Sequence, residues 1–223
     1  MKRRSVLLLL PLTAAAGCGS PGAADPRPSA SEVLDYTWPD HHPGLTSGFC
    51  FTIVRGIQPH PLLERMGGKE LQRVEWPRVL GPGDGEAGVR SRFFVGIIGV
   101  GKWSVIVEDN GSLGVTPKIA QPLSAGDGLV VGYRGGGGKP GHLMVFRDGD
   151  LALDLDTSAP DRATGTKVAD YRKDLLAAGL SGQSAPADPT VAALTFIAKR
   201  TGIKLVEPWL QTRSYLLVSV PQA

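Results

Sequence analysis

The amino-acid sequence predicts an α+β fold: a single domain with a mostly antiparallel, twisted sheet of about six or seven strands and about three helices packed on one face. Short runs rich in β-branched and aromatic residues recur through the chain, with glycine, asparagine or aspartate turns between them. Helical patterns are fewer, and the clearest of them lie late in the sequence. Strands and helices that are segregated in this way are typical of the α+β class.

Seven segments carry a strand pattern, and two of them form an expected hairpin. The seven segments are 49–55, 93–98, 103–108, 129–134, 142–147, 151–155 and 215–220. Asp148-Gly149 joins the fifth and sixth, and this pair favours a type I′ turn because both central residues need a positive φ. In the sixth, Leu151, Leu153 and Leu155 alternate with polar or small residues, which predicts one buried and one solvated face.

Three segments carry a helical pattern: 59–66, 168–178 and 188–201. The third has the strongest boundary signals. Asp188 suits the N-cap and Pro189 the first helical position, while Gly202 suits the position just after the helix ends.

The N-terminus has the pattern of a bacterial lipoprotein signal. Three basic residues precede an apolar run of 11 residues, which is shorter than the ~20 residues of a membrane-spanning helix but typical of a signal peptide. The sequence Ala15-Ala16-Gly17-Cys18 then resembles a lipobox, in which the cysteine sulfur receives a diacylglyceryl group. We predict that residues 1–17 are a signal peptide and that Cys18 is the lipid attachment site.

An ordinary secretory signal is the alternative for this segment. Ala15 stands where leucine is usual in a lipobox, and Ala14-Ala15-Ala16 also suits cleavage after Ala16. The protein would then be secreted, and Cys18 would be a plain thiol.

The predicted mature chain begins with a tether and continues as one domain. Residues 18–32 are rich in Pro, Ala, Gly and Ser, a composition that cannot bury enough apolar surface to fold, whereas 33–223 suits one α+β domain. The full chain has 24 Lys and Arg against 21 Asp and Glu, and removing Lys2, Arg3 and Arg4 makes these counts equal. A neutral chain without a basic, aromatic-rich patch is not expected to bind nucleic acid.

Cys50 is the other cysteine, and it lies within the apolar segment 49–54. A single cysteine in such a strand is expected to be a small buried hydrophobic residue. The alternative is a disulfide between Cys18 and Cys50, which requires that Cys18 carry no lipid.

Two glycine-rich segments have a composition that binding loops also have. Residues 96–102 match the spacing of a Walker A loop, but Trp103 follows where Ser or Thr would hold Mg²⁺, and a strand follows where a helix is needed. We therefore expect a hairpin corner there and no nucleotide. Residues 135–141 lie between two strands and are expected to form a mobile hairpin tip, with a binding loop as the alternative.

The charged and histidine-containing motifs favour ordinary surface roles. His41 and His42 are adjacent in an extended segment and would point in opposite directions, so we expect no shared metal ion. The aspartates at 148, 150, 154 and 156 resemble a solvated strand face more than a curled calcium loop. Arg55, Arg134 and Arg147 end three strands; exposed positions are expected, with a shared anion site at one rim as the alternative.

A succession of four segments resembles an uncharacterised actinobacterial family, the domain of unknown function 6461. An apolar strand ends in Val54-Arg55-Gly56, a short helix like 61–67 follows, and then come a strand like 102–111 and a late helix like 191–202. The resemblance covers about residues 45–220. It implies no established activity, substrate or cofactor, so it assigns no functional residue.

These patterns predict an envelope lipoprotein, lipid-anchored at the extracytoplasmic face of the cell membrane, whose domain binds a ligand or an envelope protein partner without catalysis. No catalytic, metal-binding or cofactor-binding residue is predicted. Two alternatives remain: an extracytoplasmic hydrolase whose site has no recognisable motif, and an immunity-like or scaffold protein. A deep pocket that holds His142 or His60 beside a serine or aspartate would favour the hydrolase.

Overall fold

A computed structural model of the chain describes residues 34–80 and 92–222, which contain one eight-stranded antiparallel sheet. The predicted signal peptide, Cys18 and the predicted tether lie outside the described residues. The strands are β1 (Phe49–Arg55), β2 (Lys69–Glu75), β3 (Arg92–Val100), β4 (Trp103–Asp109), β5 (Leu129–Gly135), β6 (His142–Arg147), β7 (Asp150–Asp156) and β8 (Ser214–Pro221). Their order in the sheet is β2-β8-β3-β4-β1-β5-β6-β7, with every neighbouring pair antiparallel.

The sheet has one strand more than the six or seven that we predicted. The seven predicted strands are confirmed, and β2 is the addition. Six of its seven residues are exposed and only Val74 is buried, because β2 is an edge strand that pairs on one side only, with β8. An edge strand tolerates charged residues, so the sequence of β2 has no apolar periodicity to predict it.

Apolar side chains cover both faces of the central strands. Consecutive residues belong to different hydrophobic clusters: Ile53 and Val105 to a first cluster, and Val54 and Ile106 to a second. Successive side chains of a strand point to opposite faces. Both faces are therefore buried, which explains why β1 and β4 contain almost continuous apolar runs instead of an alternating pattern.

The helices are divided between these two clusters. They are α1 (Trp38–His41), α2 (Pro59–Arg65), α3 (Trp76–Val79), α4 (Pro117–Ala120), α5 (Val168–Ala178), α6 (Pro189–Thr201) and α7 (Glu207–Gln211). Tyr171 of α5 and Phe196 of α6 belong to the first cluster, whereas Leu62 of α2 belongs to the second. We expected these three helices on one face of the sheet. Because both faces are apolar, both need other elements packed against them to be shielded from water.

Local boundary signals of α6 and of the β6–β7 hairpin are confirmed. The Asp188 side chain accepts a hydrogen bond of 2.9 Å from the backbone N–H of Val191, and Gly202 ends α6 with φ +75°. Asp148 and Gly149 both have positive φ, as a type I′ turn requires. In the described part of the chain, no helix has the length and apolar composition that crossing a membrane requires.

The predicted alternation in β7 is wrong at its first residues. Leu151 pairs with Phe146 and Leu153 with Val145, so Ala152 is an extra residue in a β-bulge. Ala152 is buried in the first cluster beside Leu153, while Leu151 packs against the second cluster. A bulge shifts the side-chain alternation by one residue, and sequence periodicity does not reveal its position.

Candidate functional site

The glycine-rich segment between β5 and β6 lies at one edge of the sheet, beside the start of β1 and the end of β4. Pairing brings these elements together, because Phe49 lies opposite both Asp109 and Gly135. We call the edge formed by residues 47–49, 110–112 and 134–141 the glycine-loop rim. It borders two cavities, and Gly136 and Lys139 line both of them.

The smaller cavity has a volume of about 120 Å³ and a polar lining. Ser47, Asn110 and Ser112 contribute neutral polar side chains, and Arg134 and Lys139 contribute two cations. No carboxylate is among the described residues that line this cavity.

The two cations retain most of their capacity for hydrogen bonding. Arg134 is half-buried, and a terminal nitrogen of its guanidinium donates to the carbonyl oxygen of Pro140 over 3.3 Å. Neither Arg134 nor Lys139 forms an ion pair within 4.0 Å with another residue in the described ranges. A guanidinium has five N–H donors and an ammonium has three, so donors remain on both side chains.

Arg134 belongs to a polar row that crosses the sheet. Cross-strand pairing aligns Glu108 of β4, Cys50 of β1, Arg134 of β5, His142 of β6 and Asp156 of β7. Directly paired residues of neighbouring strands point to the same face. The row is therefore a line of side chains on one face, with Arg134 between an apolar thiol and an imidazole.

Cys50 is confirmed as a buried free cysteine, with a relative exposure of 1%. Burial is the main cause that raises the pKa of its thiol far above the usual range, and the charge of Glu108 raises it further. A thiol that remains protonated is neither a nucleophile nor a metal ligand.

The two carboxylates of the row already accept other hydrogen bonds. Glu108 accepts a bond of 2.9 Å from the backbone N–H of Leu113. One oxygen of Asp156 accepts from the hydroxyl of Ser158 over 2.6 Å and from its backbone N–H over 2.8 Å, and these bonds hold the pKa of Asp156 below its usual value.

The larger cavity has a volume of about 320 Å³ and lies between the glycine-rich segment and the start of α6. Its lining includes the hydroxyl-bearing residues Tyr133, Thr157 and Thr190, together with the acidic residue Asp40. The Tyr133 hydroxyl lies 3.4 Å from Oγ1 of Thr190. Burial raises the pKa of Tyr133 to about 12, so this hydroxyl remains neutral and serves as a hydrogen-bonding group.

Glycine is required where this segment packs against its surroundings. Gly137 has φ +62°, and a Cβ there would lie 2.5 Å from the backbone oxygen of Ser47. At Gly141, a Cβ would lie 2.6 Å from the Tyr133 hydroxyl. The segment is therefore closely packed at Gly137 and Gly141, whereas a Cβ at Gly138 would meet nothing within 4 Å. Mobility of this exposed hairpin tip stays a prediction.

The Walker-like segment has the expected hairpin geometry. Gly96 and Gly99 lie within β3, and Val100 pairs with Trp103 across a turn that contains Gly101, with φ +58°. Lys102 lies over the Trp103 ring, 5.8 Å from its centroid. The segment thus lacks the helix N-terminus that a phosphate-binding loop requires.

The idea of a shared rim for the three strand-end arginines is wrong. Arg147 pairs with Leu129 at the start of β5, next to the end of β1 where Arg55 lies, whereas Arg134 is at the opposite end of β5. The strands alternate in direction, so arginines at successive carboxyl ends fall on different edges of the sheet.

The predicted histidine and aspartate motifs are distributed over separate places. His42 contacts the rings of Trp38 and Trp76, and its Nδ1 accepts a hydrogen bond from Gly44. Nε2 of His142 lies 2.6 Å from a carboxylate oxygen of Asp154. Within residues 34–80 and 92–222, no three His, Cys, Asp or Glu side chains are grouped as metal ligands would be.

Tyr133, Thr157 and Thr190 of the larger cavity were not predicted as site residues. Tyr133 is part of a strand pattern, Thr190 lies in the predicted helix 188–201, and Thr157 has no motif. The one usable signal was the placement of polar residues beside strand ends, but it required knowledge of which ends are neighbours in the sheet.

Comparison with known proteins supports the resemblance found in the sequence. No curated protein and no solved structure matches the chain. The family of unknown function DUF6461 matches residues 29–223, which include all of the strands and helices described above. The chain therefore belongs to the family of unknown function DUF6461.

Proposed function

We propose that this protein is a lipid-anchored envelope protein whose domain binds a small ligand at the glycine-loop rim without converting it. The observation that carries this proposal is the meeting of two cavities at Gly136 and Lys139. The larger cavity, at about 320 Å³, falls in the usual range for small-molecule sites. Its neutral hydroxyl groups are suited to orienting a bound molecule.

The chemistry around the rim supports binding more than catalysis. The Cys50 thiol is buried and protonated, and the Tyr133 hydroxyl remains neutral at physiological pH. His142 and Asp154 form an acid–base pair, and neither lines either cavity. A general base must lie within hydrogen-bonding reach of the proton that it removes.

Binding can be tested by amide NMR on the full-length Cys18→Ser chain, which lacks the proposed lipid site. We would titrate a fragment set of sugars, short peptides and small acids, and expect shifts at Tyr133, Thr157 and Thr190. Ala185 is an exposed residue on the wall of the larger cavity, so Ala185→Trp should abolish these shifts. Ala187→Trp is the matched control, because Ala187 is also exposed but does not line the cavity. A fragment set that shifts the amide resonances of none of these three residues would count against the proposal.

The lipid anchor rests on the pattern of residues 1–18 and can be tested separately. Cells that express the full chain would be labelled with radioactive palmitate. We expect label on the wild type and on the control Cys50→Ala, and none on Cys18→Ser. An unlabelled wild type, or label that persists in Cys18→Ser, would favour the secretory alternative.

A hydrolase remains the second candidate because of the His142–Asp154 contact. A distance of 2.6 Å between Nε2 of His142 and the carboxylate is the geometry by which an acid orients an imidazole base. Turnover of any ester, amide or glycoside substrate that disappears in His142→Gln, but not in His60→Gln, would support this alternative. His60 is the control because it faces the carboxylate of Glu70 on another part of the surface, at 3.6 Å.

A further inference from the structure

We propose that the smaller cavity of the glycine-loop rim binds an oxyanion, a carboxylate or phosphate group, between Arg134 and Lys139. This inference rests on the proposed function and names the chemical class of the ligand. The two cations line a cavity of about 120 Å³, which is large enough for one such group, and no described carboxylate shares the lining.

Arg134 is positioned to donate to a ligand. Its backbone is held within β5, and its two neighbours in the polar row, the buried thiol of Cys50 and the imidazole of His142, carry no negative charge. One contact, with the Pro140 carbonyl, occupies part of the guanidinium. The planar fork of a guanidinium matches two oxygens of a carboxylate or phosphate.

Within residues 34–80 and 92–222, neither Arg134 nor Lys139 forms a direct ion pair with a nearby acid. Glu108 lies beneath Gly111, buried at 1% exposure, and it accepts the N–H of Leu113. Asp156 accepts two bonds from Ser158. Arg134 also interacts electrostatically with Asp156 and lowers the pKa of that carboxyl, so a bound anion would gain from Lys139 and from the part of the Arg134 charge that Asp156 does not balance.

The remaining lining suits the same ligand. Ser47 and Ser112 carry hydroxyl groups and Asn110 carries an amide, all of which can donate to an anion. Gly136 lines both cavities, so the uncharged part of a ligand would extend past it into the larger cavity with its hydroxyl groups. The site thus favours a molecule with one anionic end and a polar, hydroxyl-compatible body.

The test is an amide NMR titration of the full-length Cys18→Ser chain with inorganic phosphate and, separately, with acetate, each against sodium chloride at equal ionic strength. We expect saturable shifts at Ser47, Asn110 and Gly136 that chloride does not produce. A larger affinity for phosphate would identify a phosphate ligand, and a larger affinity for acetate a carboxylate ligand; either result supports the proposal.

Charge-removing variants make the test specific. Lys139→Gln alters an exposed residue, and Arg134→Gln a half-buried one, and each should weaken binding about tenfold, since one charge-assisted hydrogen bond contributes about 1.5 kcal/mol or more. Arg134→Lys keeps the charge but not the planar fork, so it should bind with intermediate affinity. Arg172→Gln and Lys173→Gln remove the same charges from exposed positions of α5 and should leave binding unchanged.

Two results would overturn this inference: no saturable shift beyond that of chloride, or equal affinity in the wild type and Lys139→Gln. They are distinguishable from failure of the proposed function. If the anions do not bind but fragments still shift the amide resonances of Tyr133 and Thr190, the proposed binding function is supported and the oxyanion site is excluded. If the anions bind while every fragment fails, the smaller cavity alone is the site.

Discussion

Gly132 offers the sharpest test of the packing that supports the glycine-loop rim. This residue lies within β5, where the turn at Leu113–Val115 packs across the sheet. A Cβ at position 132 would lie 2.1 Å from the backbone oxygen of Gly114, whereas ordinary van der Waals contact begins at 3.4 Å. Gly132→Ala should therefore force the turn and the strand apart by the difference, 1.3 Å.

The expected loss of folding stability follows from the rigidity of both the strand β5 and the turn at Leu113–Val115. The blocking atoms belong to backbone, and Gly114 is itself held closely against the side chains of Thr52 and Cys50, so neither side can move independently. Overpacking of a filled core lowers the free energy of unfolding by ~1–3 kcal/mol. We expect the overlap at position 132 to lie at the upper end of this range. Replacing a strand glycine by alanine recovers ~0.5–1 kcal/mol of backbone entropy, so the net loss should be about 2 kcal/mol.

Thermal unfolding followed by circular dichroism measures this loss. For a domain of this size, each kcal/mol lowers Tm by ~2–4 °C, so Gly132→Ala should melt about 4–8 °C below the wild type. The matched control is Gly99→Ala in β3, where a Cβ would meet Gln58 and Pro59 side chains at 3.3 Å and 3.4 Å. We expect the control to melt within about 2 °C of the wild type. Equal melting temperatures for the two variants would refute the packing argument.

Three further predictions concern caps and ionisation. Asp188→Ala removes the N-cap of α6 and should lower the free energy of unfolding by about 1 kcal/mol in urea, whereas the exposed control Asp161→Ala should change it little. Ser158→Ala should raise the pKa of Asp156, measured by carboxyl ¹³C NMR titration; an unchanged pKa would contradict the role of the Ser158 bonds. The pKa of Tyr133 is raised from 10.0 to about 12 in the folded state, so its contribution to stability is complete below pH 10 and declines as the pH rises towards 12. Tyr133→Phe should therefore lose less stability than the wild type between pH 10 and 12. An identical loss in both proteins would show that ionisation of Tyr133 does not cause it.

Features that depend on neighbouring residues in the chain were predictable from sequence. Seven of the eight strands, the Asp188 cap with Gly202, and the turn at Asp148-Gly149 were all predicted correctly. Each depends on local backbone preferences or on periodicity within one segment, so the amino-acid order alone contains the information. Burial of Cys50 was also predictable, because its segment is apolar on both sides.

The candidate site required the tertiary structure. Arg134 and Lys139 are near one another in sequence, but Ser47 and Asn110 reach the same cavity only because β5, β1 and β4 are neighbours in the sheet. The edge strand β2 and the bulge at Ala152 were likewise hidden, since pairing on one side or an unpaired residue has no sequence periodicity. Strand order and register follow from the packing of the whole chain. This long-range pairing determines which polar residues lie together at the rim.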